Sequence, residues 1–219
     1  MSVEKFNKDG FYKINNLLSD DLCKIFTQYA LFDMLGNFTI ERSSDPQIPD
    51  THSIYGDYFT ESLLLHLKPT MEKITGMTLV PSYSYYRVYK PGDILKKHVD
   101  REPCEISVTV TAGFDYKEKS SNYNWGILFH KKNGQSETFY LNPGDGIIYK
   151  GCDIIHSRDI FDVPTGSYQV QFFLHYMNIN NSDLHYFMYD RRPMIGTAKN
   201  LTLFSSLEES LKGVKKEYS

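Results

Sequence analysis

His98 and Asp100 stand two residues apart near the middle of the chain, and His156 stands far downstream. Two imidazoles and one carboxylate are the ligand set that suits a mononuclear non-haem Fe(II) ion with open coordination positions. His-x-Asp alone is a weak signal, and its surroundings give it weight. The run from Tyr85 to Asp100 reads as a strand, a turn at Pro91-Gly92, and the start of another strand. Period-two alternation then places the His98 and Asp100 side chains on one strand face. The run from Leu141 to Arg158 reads as a turn at Pro143-Gly144-Asp145, a short apolar strand, a second turn at Gly151, and a short strand carrying His156. A roll of strands can return a distant third ligand to the first pair in this way.

The elements that must position these residues follow from the local pattern. Residues 17–35 predict an amphipathic helix with Ser19 as N-cap, Asp20 and Asp21 in the first turn and Gly36 past the end. Leu22, Ile25, Phe26, Tyr29 and Ala30 fall on one face of it. Residues 37–56 are polar, hold Pro46 and Pro49, and predict a long loop. A second helix is expected over 57–75, with Pro69 kinking or dividing it. From Leu79 the pattern changes to short strands, expected over 79–90, 104–114, 125–131, 136–141, 146–149, 153–157 and 167–177. Within Glu105–Thr111 the apolar residues fall at even positions, and Asn133-Gly134 is a strong hairpin signal. The expected fold class is α+β, mainly β: a double-stranded β-helix, or jelly roll, with N-terminal helices packed outside. The 219 residues predict one domain, with helical support over 1–78, a jelly-roll core over 79–178 and a C-terminal extension over 179–219 that holds a short helix at Ser205–Lys212.

Composition narrows the function classes. The chain carries 17 Tyr and 14 Phe, and aromatic residues favour pleated, half-buried surfaces. A net charge of −3 gives no domain-wide basic footprint for nucleic acid or an anionic membrane. Lys90, Lys96, Lys97 and Arg101 nonetheless cluster around the candidate ligands. Cys23, Cys104 and Cys152 form no zinc spacing, and an odd count is a poor disulfide framework, so reduced thiols are expected. With no apolar leader and no run of 18 apolar residues, the chain is expected to be soluble and cytoplasmic. His52, His66, His130 and His185 read as surface or satisfied core residues. His175, on the last strand, reads as a hydrogen-bonded core histidine or a cavity-lining one.

The chain resembles the 2-oxoglutarate- and Fe(II)-dependent dioxygenase superfamily, specifically its prolyl-4-hydroxylase-like branch. The resemblance is carried by Tyr89-x-Pro91-Gly92-x-x-Leu95-x-x-His98-x-Asp100, Pro143-Gly144-Asp145, the distal His156 and a closing strand over 167–177, and spans residues 79–178. It implies that His98, Asp100 and His156 bind Fe(II), that 2-oxoglutarate and O2 are cosubstrates, and that succinate and CO2 are coproducts, with ascorbate a candidate reductant. It implies hydroxylation, because related halogenases leave open the ligand position that Asp100 fills. A peptidyl, prolyl-type residue is the preferred substrate, with a free amino acid or small metabolite as the alternative. Neither nucleic acid nor membrane is an expected partner.

One feature departs from that family. Its clamp for the distal carboxylate of 2-oxoglutarate is a cation about ten residues after the distal histidine, where Thr165–Phe172 here offers none. A buried dianion needs a charge-assisted partner. Arg87, sharing a strand face with Tyr89, is the first candidate, and Arg158, two residues after His156, the second. Tyr89 is a candidate phenol donor, with Gln169 or Gln171 assisting. The missing cation also leaves open a rival: a cupin-like metal-binding protein that catalyses no oxidation.

Overall fold

The computed structural model describes residues 2–36, 47–117, 123–131 and 134–197. Its helices are α1 (Ser2–Asp9), α2 (Asp20–Gly36), α3 (Tyr58–Thr75) and the short α4 (Leu184–Phe187). The strands are β1 (Phe11–Ile14), β2 (His52–Tyr55), β3 (Leu79–Tyr89), β4 (Leu95–His98), β5 (Ile106–Asp115), β6 (Ile127–His130), β7 (Ser136–Phe139), β8 (Gly146–Lys150), β9 (Ile155–Arg158) and β10 (Tyr168–Asn178). They form two antiparallel sheets, one in the order β1-β8-β5-β10-β3-β2 and one in the order β4-β9-β6-β7. This is a jelly roll, mainly β, with α1 to α3 outside the larger sheet.

The alternation in β5 explains the layering. Its even residues Ile106, Val108 and Val110 join Val88, Phe172 and Leu174 in a core shared with Phe6, Phe26, Leu64 and Met71 of the helices. Its odd residues Ser107, Thr109 and Thr111 face the inside of the roll and are fully buried there. A second cluster, Phe11, Ile127, Phe129, Leu141, Ile147 and Tyr149, joins the two sheets. Burying each large apolar side chain contributes on the order of 1.5–3 kcal/mol, so the helical layer fixes the larger sheet, which carries Arg87, Tyr89 and Ser107.

Two turns of one design precede β4, which carries His98, and β8, which leads through the turn at Gly151 to β9. In Lys90-Pro91-Gly92-Asp93 and Asn142-Pro143-Gly144-Asp145 the fourth N–H donates to the first carbonyl, at 3.1 and 2.9 Å. Gly92 and Gly144 take φ of 88° and 87°, as the third position of a type II turn requires. Each closing aspartate also accepts the first residue's N–H, at 2.9 Å for Asp93 and 3.1 Å for Asp145. The Asn133-Gly134 hairpin falls partly outside the described residues, but β6 and β7 do pair, with His130 opposite Ser136.

Several expectations need correction. Helical support over 1–78 omitted β1 and β2, which extend the edges of the larger sheet, and β2 also replaces part of the loop expected over 37–56. Four-residue runs such as Phe11–Ile14 carry too little local signal; their stability comes from the neighbouring strand. Helix α2 buries Cys23, Phe26 and Ala30, whereas Ile25 is 58% and Tyr29 38% exposed. Apolar residues on every side of α2 blur its periodicity, and its rotation is fixed instead by Thr27, which packs where Gly113 lacks a side chain. Pro69 does not divide α3. Near the hydrogen bond it removes, the Tyr176 hydroxyl donates to the Leu64 carbonyl at 2.7 Å, and Leu63, Leu64, Leu67 and Met71 anchor the helix. Asp57 caps its start by accepting from Phe59 and Thr60, and Gly76 ends it at φ 72°. The expected strand start at 104 is a 3-10 turn over Glu102–Cys104. The Ser205–Lys212 helix and residues 37–46 lie outside the described residues. Cys23, Cys104 and Cys152 are free thiols, and no described helix is long and apolar enough to cross a membrane.

Candidate metal centre

His98 and His156 are direct cross-strand partners on β4 and β9. Their ring centroids lie 4.2 Å apart, and His156 packs against Phe129 and Tyr149. Asp100 lies two residues past the end of β4 rather than within the strand, which corrects the expectation of a continuous strand through the triplet. Its N–H donates to the Gly151 carbonyl at 2.9 Å, and this bond brings the carboxylate back towards the histidines. Asp100 Oδ1 is 3.4 Å from His156 Nε2 and 3.6 Å from His98 Nε2.

The ring orientations fit a metal. His98 Nδ1 is 2.8 Å from the Lys96 carbonyl and His156 Nδ1 is 2.9 Å from the Ile154 carbonyl. A carbonyl only accepts, so each Nδ1 carries the hydrogen, and in the neutral ring the lone pair then sits on Nε2. Candidate ligand atoms of His98, Asp100 and His156 all lie within 4.8 Å of one another. Two imidazole nitrogens and a carboxylate, half enclosed, are a donor set for a divalent transition metal such as Fe(II). Burial would raise the Asp100 pKa, but the two imidazoles overcome this and hold it well below the usual carboxylate range. Burial lowers the His98 pKa, and hydrogen bonding to Asp100 and Lys96 outweighs it to leave a net rise.

The other candidate residues line the same interior. Arg87 and Arg158 are both buried, at 1% and 2% exposure. The Arg87 guanidinium donates to the Tyr89 hydroxyl at 3.0 Å and lies over the rings of Tyr85, Tyr89 and Phe173. Arg158 lies between Trp125 and Tyr89, with its guanidinium carbon 4.8 and 5.7 Å from the ring centres. Its Nη1 donates to the Trp125 carbonyl at 3.0 Å, while Nε and Nη2 are buried and have no hydrogen-bond partner among the described residues. Burial lowers its pKa. Gln169 and Gln171 are committed to each other and to their neighbours. Gln171 accepts from Gln169 and Thr111 and donates to Thr109, and Gln169 accepts from Tyr116. Lys96 and Lys97 are exposed.

A groove of about 410 Å³ opens beside His98, lined in part by Ile48, Pro49, Ile94, Leu95 and Lys96. Sequence reasoning missed Trp125, Ser107 and Gly151. A Cβ on Gly151 would stand 2.2 Å from the Cys104 carbonyl and 2.7 Å from Asp100 Oδ2, so only glycine fits behind the carboxylate. The odd-numbered polar residues of β5 were the available signal for Ser107.

No family model matches the chain, and no curated relative does. Solved structures do match. A prolyl-4-hydroxylase from Pseudomonas putida superposes with a TM-score of 0.63 at 11% identity, over 81% of this chain and 97% of that one. The fold is that of the prolyl hydroxylases. A prolyl hydroxylase from Trichoplax adhaerens, in complex with a hypoxia-inducible-factor peptide fragment, shares the prolyl hydroxylase fold at TM-score 0.60 and 14% identity, over 81% and 88% of the two chains. So does the epimerase SnoN from nogalamycin biosynthesis, in complex with Fe3+, α-ketoglutarate and nogalamycin RO, at 0.63 and 11%, over 80% and 82%. At such identities the prolyl hydroxylase fold is common to proteins with different reactions, and function must be argued from the site.

Proposed function

We propose that this protein is an Fe(II)- and 2-oxoglutarate-dependent oxygenase that hydroxylates an organic substrate. The observation that carries the reading is the convergence of His98 Nε2, His156 Nε2 and Asp100 Oδ1 with both Nδ1 atoms already used. Ferrous iron bound there would supply the redox chemistry, in which 2-oxoglutarate and O2 are consumed, succinate and CO2 are released, and one oxygen atom enters a substrate C–H bond. The chain's own contribution is to bind, orient and exclude water. His98 and His156 present fixed lone pairs, and Asp100 adds one negative charge.

Arg158 supplies the buried cation that the last strand lacks. Its Nε and Nη2, unpartnered among the described residues, suit the distal carboxylate of 2-oxoglutarate. Arg87 and Tyr89 form the adjacent donor pair, and the Gln169–Gln171 ladder is polar flooring rather than a clamp. This arrangement weakens the non-catalytic cupin-like reading, which rested on the missing cation. The groove beside His98 is where a substrate would reach the metal. We take a peptidyl, prolyl-type residue as the preferred substrate, because two of the structural neighbours are named prolyl hydroxylases and one holds a peptide. A free amino acid or small metabolite is the alternative.

Anaerobic addition of 2-oxoglutarate to the Fe(II)-loaded protein should produce a weak visible charge-transfer band, and exposure to air should then form succinate. Absence of both would remove the proposal. Gly151→Ala should press its methyl on Asp100 and Ser107, destabilise the protein by about 1–3 kcal/mol and weaken metal binding about tenfold or more. Urea unfolding and metal titration check this; wild-type values for both would show that the carboxylate tolerates displacement.

A further inference from the structure

We infer that Ser107 and His175 are positioning residues that hold the Asp100 carboxylate so that only its Oδ1 faces the two imidazoles. The inference rests on the metal centre proposed above. Ser107 and His175 are direct cross-strand partners on β5 and β10. Ser107 Oγ lies 3.0 Å from Asp100 Oδ2, 3.1 Å from the Cys104 carbonyl and 2.8 Å from His175 Nδ1. A hydroxyl has one hydrogen, and both the carboxylate and the carbonyl only accept. The Ser107 hydrogen points at those two oxygens, Asp100 Oδ2 being the nearer, and the geometry assigns His175 Nδ1 as the donor to Ser107. The result is a chain of directed hydrogen bonds, from His175 to Ser107 and from Ser107 to Asp100.

The surroundings fix this chain in place. Tyr83, opposite His175 on β3, covers the imidazole at 4.4 Å between ring centres. The Tyr83 hydroxyl meets Cys104 Sγ at 3.1 Å. Ser107 is fully buried and His175 is 5% exposed. A Cβ on Gly151 would stand within 2.8 Å of both Asp100 Oδ2 and Ser107 Oγ, so the backbone closes over that oxygen, and the Tyr149 hydroxyl, opposite Ser107 on β8, joins Ser107 in bonding the carboxylate. With Oδ2 tethered, the carboxylate cannot turn both oxygens towards the metal. It would fill one position of a metal held there and leave others for cosubstrate and oxygen.

Two variants that share the same branched arrangement of side-chain heavy atoms test this. His175→Asn keeps an N–H close to where Nδ1 stands, and His175→Leu does not. A purely structural role favours leucine, the apolar group in a buried slot. A positioning role reverses the order for metal binding. Cobalt(II) titration of the full-length protein, followed by its visible bands, should give His175→Asn an affinity within about threefold of wild type. His175→Leu and Ser107→Ala should each lose about 10- to 100-fold, with altered band shape as the freed carboxylate adds its second oxygen. Thermal melts of the metal-free proteins should place His175→Leu at or above His175→Asn. A leucine variant that titrates like wild type, or equal losses in both His175 variants, overturns the inference while leaving the metal centre standing. Failure of wild type to bind cobalt, or unchanged binding by Asp100→Ala, sinks the metal centre itself.

Discussion

Asp100→Ala should lose divalent-metal binding by at least about 100-fold and abolish succinate formation, yet remain folded. The carboxylate is the only negative charge among the three candidate donors, so its removal leaves two neutral imidazoles facing a dication. The neighbouring structure does not depend on it. The two histidines remain cross-strand partners, each still tied to its own backbone carbonyl. Ser107 keeps the Cys104 carbonyl as an acceptor. The destabilisation should therefore stay near the 1–3 kcal/mol that accompanies loss of one hydrogen-bonded charged group. Asp100→Asn is the sharper control, because it keeps the shape and removes only the charge, and it should also fail to support turnover. Circular dichroism melts and metal titration separate the possibilities. A folded Asp100→Ala protein that binds metal like wild type would place the ligands elsewhere, and global unfolding would make any metal there structural.

How much of this was legible in the sequence depends on the range over which each signal acts. The two Pro-Gly-Asp turns and the alternation of β5 are local, since φ above zero at Gly92 and Gly144 and the period of two are written in adjacent residues. They sufficed to place His98 and His156 on short strands next to turns. What depended on register was not legible. That Ser107 stands opposite His175 follows only from the pairing of β5 with β10, including the bulge between Val170 and Gln171. The Gln169–Gln171 ladder is another case: that these two glutamines bond each other, Thr109, Thr111 and Tyr116 follows from cross-strand neighbours and not from adjacent residues. The rotation of α2 failed for a related reason, because Gly113 on a distant strand decides which face of that helix approaches the sheet.

Arg158→Met should make the ligand-free protein as stable as wild type or more so, while weakening 2-oxoglutarate binding at least about 30-fold. The two effects share one cause. The Arg158 guanidinium is fully buried with two nitrogens unpartnered among the described residues, and burial lowers its pKa, the mark of a charge held out of water. Replacing such a group with an apolar side chain of similar length is often neutral or stabilising by about 1–4 kcal/mol. At roughly 2–4 °C per kcal/mol for a chain of this size, the melting temperature should hold or rise by several degrees. A buried charge that meets a carboxylate is worth about 2–5 kcal/mol when one partner is removed, hence the expected 30-fold or greater loss. Thermal shift reads both quantities at once. Saturating 2-oxoglutarate with a redox-inert divalent metal should raise the wild-type melting temperature and leave the variant nearly unmoved, since a ligand stabilises only the state it binds. An undiminished shift in Arg158→Met would transfer the clamp to Arg87. A fall of several degrees in the ligand-free protein would instead make Arg158 a stabilising member of the Trp125 and Tyr89 stack, with no cosubstrate role required.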